Sequence, residues 1–185
     1  PADFVKQALT QLEQRVSRDL REARLGHGAV SVFGTPRRLV VSVADLEDGQ
    51  PDLQEDRKGP PVAQAFKDGI PGPAAIGFAK RCGVDPSALE QRETPKGPCV
   101  FATVLTPGQA SADLLQALIP QWIDALQGRR FMRWGTGAQR FSRPIRWLLA
   151  LQGSNVIPVV LDGADPEVRS DRFSRAHRLH GDEPL

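Results

Sequence analysis

Six arginines, Arg129, Arg130, Arg133, Arg140, Arg143 and Arg146, fall between Asp124 and Asp162, a stretch without a single acidic residue. Aromatic residues are threaded among them, in Arg130-Phe131-Met132-Arg133-Trp134 and in Phe141-Ser142-Arg143-Pro144-Ile145-Arg146-Trp147. The chemistry this mixture suits is contact with RNA, because guanidinium groups pair with phosphate while their planes and aromatic rings stack on unpaired bases. Arg129, Arg130, Arg133 and Arg140 are the candidates for a phosphate-facing strip, with Trp134 as the stacking ring. Arg143 and Arg146 suit equally well the pairing of acids across a protein interface. Trp147 heads the apolar run Trp147-Leu148-Leu149-Ala150-Leu151 and reads as core. A second basic cluster, Arg169, Arg172, Arg175 and Arg178 with His177 and His180, contains one acid, Asp171. Arg175 and Arg178 from it join the candidates for RNA contact.

Other chemistries find little to work with. The chain has no phosphate-binding P-loop, no dinucleotide fingerprint and no nucleophile elbow around a serine. Gly135-Thr136-Gly137 is a short turn and a weak phosphate loop. His177 and His180 stand one helical turn apart, but without clustered thiols they do not make a zinc site. No catalytic residue, metal or cofactor is expected within these residues. The two cysteines, Cys82 and Cys99, are too few for a disulfide framework and read as reduced thiols in or near the core.

The elements that must carry these residues follow from pattern. At 185 residues and 40% hydrophobic content the chain can bury a sizeable core. No run approaches the roughly 18 apolar residues of a membrane helix, so no membrane contact is expected. Net charge is only +2, but it is sorted, since the six acids Asp45, Glu47, Asp48, Asp52, Glu55 and Asp56 crowd a single stretch. Residues 3–25 keep a three-to-four spacing of apolar side chains from Phe4 to Ala23, which predicts an amphipathic helix stopped by Gly26. Val30–Phe33 and Leu39–Val43 flank Gly34-Thr35-Pro36 as a hairpin. The acidic stretch is expected to be a solvated connection, and Arg57-Lys58-Gly59-Pro60-Pro61 a stiff loop. Short helices are expected at 62–67 and 74–81, and an Asp85-capped turn starting at Pro86. A strand follows over 99–105, then a helix capped by Ser111 and running through Leu126, with Pro120 inside it. Strand-like runs at 130–134, 145–151 and 156–161 complete a single α+β unit over 1–185, a mixed sheet with packed helices.

Several strings, in order, resemble the beta subunit of bacterial heterotetrameric glycyl-tRNA synthetase. They are Pro1-Ala2-Asp3-Phe4-Val5, Phe33-Gly34-Thr35-Pro36-Arg37-Arg38-Leu39, Arg57-Lys58-Gly59-Pro60-Pro61-Val62, Gly77-Phe78-Ala79-Lys80-Arg81-Cys82-Gly83, Arg92-Glu93-Thr94-Pro95-Lys96-Gly97, Met132-Arg133-Trp134-Gly135, the Phe141–Trp147 string and His177-Arg178-Leu179-His180-Gly181. The resemblance spans nearly the whole chain. It implies a cytoplasmic class II ligase of two alpha and two beta chains. The alpha subunit then holds glycine, ATP and magnesium, while beta handles the tRNA for glycine. It further implies that this region is similar to the B3/B4 domain of the phenylalanyl-tRNA synthetase beta chain, with a first strand before Pro1 and carboxy-terminal domains lying outside it. Three functions stand open: a non-catalytic tRNA-handling scaffold, a protein-only interface with alpha, and an editing-type aminoacyl-tRNA hydrolase. The last is disfavoured because glycine's site excludes larger amino acids by size alone.

Overall fold

A computed structural model describes residues 2–174. Arg175, Arg178, His177 and His180, singled out above, lie outside the described residues. The chain packs into two compact units, one made of the residues up to Gln50 together with those from Gln109 onward, the other of Pro51–Gly108.

The first unit is organised by helix α1 (Ala2–Glu22). Ala8, Leu12, Val16 and Leu20 recur every four residues on one face and are buried in the largest core cluster. The helix ends at Glu22, four residues before Gly26, because a Schellman-type closure intervenes. Arg24 takes a left-handed φ of 54°, and the amides of Arg24 and Leu25 donate to the carbonyls of Arg21 and Leu20. Buried Leu25 and Leu20 supply the apolar contact that accompanies this closure. Strands β1 (Val30–Thr35) and β2 (Arg38–Val43) form the expected antiparallel hairpin, with Val32 paired to Val41 and Gly34 to Leu39. Its inward side chains pack against the α1 cluster, while Phe33 and Val40 face outward.

The second unit contradicts the loop expected at 53–61. Strand β3 (Leu53–Pro61) runs through the last acids and the Arg57-Lys58-Gly59-Pro60-Pro61 string. The pattern hides it because five of its nine residues, Gln54 to Lys58, are polar or charged and the next three are glycine and proline. Pairing with an apolar neighbour, rather than its own propensity, makes it a strand. After helix α2 (Val62–Ala65) come a tight hairpin, β4 (Phe66–Lys67) with β5 (Ile70–Pro71), and helix α3 (Pro73–Cys82). Asp85 caps the turn Pro86–Ala88, its Oδ1 accepting from the Ser87 amide at 2.8 Å. Strands β6 (Glu90–Arg92) and β7 (Cys99–Thr106) complete a sheet of order β3-β7-β6. Val100 and Ala102 on one side of β7 enter a core with Ala75, Phe78 and Cys82 of α3. Cys82 and Cys99 are buried and free.

Back in the first unit, helix α4 (Ser111–Asp124) buries Leu115 and Trp122. Ser111, expected as the cap, is instead the first helical residue and is buried. Its hydroxyl donates to the Asp48 carbonyl at 3.0 Å and lies 2.9 Å from Gln152 Oε1. Short strands follow. The hairpin of β8 (Met132–Arg133) and β9 (Arg140–Phe141) stands apart from the rest. Strand β10 (Leu148–Leu149) joins a small sheet, and β11 (Leu151–Gln152) pairs with β12 (Asn155–Val156). Strands β13 (Val160–Leu161) and β14 (Val168–Asp171) finish that small sheet in the order β10-β14-β13. The architecture is mixed α/β with several small sheets. No helix among the described residues is long and apolar enough to cross a membrane.

Candidate nucleic-acid interface

The β8–β9 hairpin is held to its unit by aromatics. Phe131, just before β8, and Phe141 in β9 close on Phe4 of α1 with ring centroids 5.3 and 5.7 Å away, both edge-on. Phe131 and Phe141 themselves lie 5.4 Å apart. The edge-to-face arrangement is the one the ring quadrupoles favour. The aromatic half of the sequence pattern therefore anchors, and the arginine half is displayed. Arg129, Arg130, Arg133 and Arg140 are all exposed.

Register brings two of them together. Arg133 pairs with Arg140 directly across the two-stranded ladder, so their side chains leave the same face about 5 Å apart at Cβ. Like charges placed this way repel unless an anion lies between them. Among the described residues, none of the six arginines from Arg129 to Arg146 forms an ion pair; every ion pair found lies elsewhere. Asp124 and Asp162, which bound the acid-free stretch, return beside Arg140 in a cleft of about 480 Å³. Neither ion-pairs with it, and Asp124 Oδ1 accepts from Gln139 Nε2 at 2.8 Å instead.

Trp134 is half-buried, and its Nε1 donates to the Phe141 carbonyl at 3.1 Å. Part of its ring remains open to solvent, but its polar edge is used to close the hairpin. Trp147, read as core, is half-buried and outside the buried cluster. The buried tryptophan is Trp122, whose Nε1 donates to Asp19 Oδ2 at 2.9 Å. Arg143 and Arg146 are exposed, Arg172 reaches the Ser154 carbonyl, and Arg169 is committed to Glu167 at 2.7 Å.

Sequence reasoning missed Asp165. The Gly135-Thr136-Gly137 turn, considered above as a weak phosphate loop, does hold an anion, but one of the chain's own. The Thr136 amide and hydroxyl donate to Asp165 Oδ2 at 2.6 and 2.8 Å. Those bonds, the backbone one first, hold the Asp165 carboxyl below the usual carboxylate range. Gly135 adopts a φ of 62°, and a Cβ on Gly137 would fall 2.6 Å from the Gly163 carbonyl, so the turn needs both glycines. The signal was present as a glycine-flanked threonine; its partner, 29 residues onward, was not.

A contrast is supplied by Arg92. It bonds Asp56 and Glu90 and lies over the Phe101 ring at 5.2 Å. The Arg92 hydrogen bond, and after it that of Thr103, holds Asp56 below the ordinary carboxylate range. That arginine is neutralised within its own sheet.

By fold and site, then, the chain is a mixed α/β protein that displays an arginine hairpin free of acidic partners among the described residues. The family described as Glycyl-tRNA synthetase beta subunit matches residues 1–185, and the chain belongs to that family. Similar proteins include the Glycine--tRNA ligase beta subunit of Synechocystis sp., 49% identical over 97% of this chain and 25% of the relative. That of Acaryochloris marina is 43% identical over all of this chain and 26% of the relative. The one from Anaeromyxobacter dehalogenans is 42% identical over 97% and 25%. The chain thus spans about a quarter of the length of the curated relatives it matches.

Proposed function

We propose that this chain is the tRNA-handling, non-catalytic part of a glycine-tRNA ligase beta subunit. On this reading, glycine activation with ATP and magnesium takes place on an alpha subunit. Both compact units belong to one B3/B4-like region of a cytoplasmic heterotetramer. The observation that carries the reading is the hairpin itself, with Arg133 opposite Arg140 and Arg129 and Arg130 beside them, without an ion-pairing acid among the described residues. A protein whose charges serve only its own stability has no use for an unneutralised like-charged pair, whereas a phosphate backbone supplies the missing anion.

The test uses the complete enzyme. Arg133→Gln with Arg140→Gln should raise the KM for tRNA and flatten the log–log salt dependence of tRNA binding by about 1.4, from about 0.7 per neutralised phosphate. Glycine-dependent exchange between ATP and pyrophosphate should stay unchanged. The exposed Met132 beside the arginines favours a second reading, a contact with another subunit. Normal tRNA affinity together with failed assembly of alpha with beta would establish that one instead.

A further inference from the structure

We infer that Asp165 is a positioning residue for the arginine hairpin: its carboxylate, gripped by Thr136, fixes where Arg133 and Arg140 stand. The inference rests on the reading that those arginines meet RNA. A carboxylate so close to a polyanion-facing hairpin opposes RNA by simple Coulomb repulsion within a Debye length of about 10 Å. Its presence needs a compensating role, and the geometry supplies one.

The β8–β9 ladder is only two residue pairs long, and one of those pairs is two like charges. A ribbon of that size is marginal by itself, and the six residues from Trp134 to Gln139 that join its strands include two glycines. What holds the register must therefore come from outside the ladder. At one end it is the Phe4–Phe131–Phe141 cluster. At the other it is the segment Gly163–Asp165. Gln139 donates its amide to the Gly163 carbonyl at 2.8 Å, and both Thr136 donors converge on one oxygen of Asp165. Bonds to an ionised acceptor are about twice as strong as neutral ones, so the carboxylate is the strongest fixture of the turn.

The positioning role and the purely electrostatic one predict opposite signs. In the complete enzyme, Asp165→Ala removes a negative charge, so charge alone would tighten tRNA binding. If the latch positions the arginines, binding weakens instead, and the salt dependence flattens by about 0.7 for each arginine displaced. Thr136→Val, which changes no charge, should weaken binding in the same way, and Thr136→Ser should restore it. Amide hydrogen exchange over residues 132–141 should speed up in Asp165→Ala and Thr136→Val at an unchanged Tm. Unaltered exchange in that segment overturns the inference whatever the RNA does, and tighter tRNA binding in Asp165→Ala overturns it as well. If exchange speeds up but Arg133→Gln with Arg140→Gln leaves tRNA binding intact, the functional reading fails, and the positioning role falls with it.

Discussion

Replacing Arg140 by threonine should stabilise the hairpin and, on the proposed reading, weaken tRNA binding at once. In the folded chain Arg140 lies directly across from Arg133, and both are exposed. Two guanidinium charges some 8 Å apart in water repel by about 0.5 kcal/mol, and salt at 0.1 M roughly halves this. Threonine removes the repulsion and is a better strand former, so the local gain is about 0.2–0.5 kcal/mol, within the usual range for cross-strand pairs. That corresponds to amide exchange over 132–141 slowed by a factor of about 1.5 to 2 at low salt, and the difference should shrink as salt is added. On the proposed reading, the same substitution deletes one phosphate contact and should flatten the salt dependence of tRNA binding by about 0.7. Exchange monitored by mass spectrometry and a tRNA titration across salt concentrations, both on the complete enzyme, read the two effects separately. Faster exchange in Arg140→Thr would refute the reasoning, because it would mean that Arg140 holds a structural partner rather than opposing a like charge.

Trp122→Phe should destabilise the protein by about 2–3 kcal/mol, combining lost ring volume with the loss of the bond to Asp19, which keeps its Arg18 partner; thermal unfolding checks it. Phe4→Ala should cost about 2–3 kcal/mol and also speed exchange in 132–141, because Phe4 bridges α1 to both aromatic anchors of the hairpin. Asp56 should titrate below the ordinary carboxylate value of about 3.9, as read by carboxyl NMR. Its folded pKa is depressed, so its contribution to stability is complete above the unfolded pKa and is lost only as pH falls through the lower folded one. Asp56→Asn should therefore lower stability at neutral pH, and the difference from the parent should shrink as pH falls below about 4.

What the sequence made legible depended on which force shaped each element. The apolar face of α1 and that of α4 could be read from spacing because burial against one core dictates them. The Asp85 cap was legible because its chemistry is local. Strand β3 was not, since its charged and proline-containing string carries no apolar alternation and its conformation is imposed by β7 across the sheet. The end of α1 was misplaced for a related reason: closure around Arg24 requires a buried leucine behind it, and glycine content alone does not reveal that. At the site, composition disclosed the arginines and the aromatics but not their division of labour. Phe131 and Phe141 anchor and Trp134 ties the strands, which only the ring geometry and one hydrogen bond disclose.

The register of the hairpin carries more weight than its composition. Arg92 and Arg133 are the same residue type on short strands, and their surroundings differ in kind. Arg92 has two carboxylates and an aromatic face within reach, so its sheet has already spent that charge internally. Arg133 faces Arg140, and among the described residues no acid ion-pairs with either: Asp124 bonds Gln139, and Asp165 bonds Thr136. A fold selected only for stability would place one of those carboxylates between the two arginines, since truncating either charge or pairing it would relieve the repulsion. Instead Asp165 grips the turn by its backbone and hydroxyl, fixing the pair without neutralising it. Fixing a repulsive pair lowers the cost of binding an anion later, because the arginines need not be ordered when it arrives. On the proposed reading, that is the physical sense in which the hairpin is prepared for a phosphate backbone.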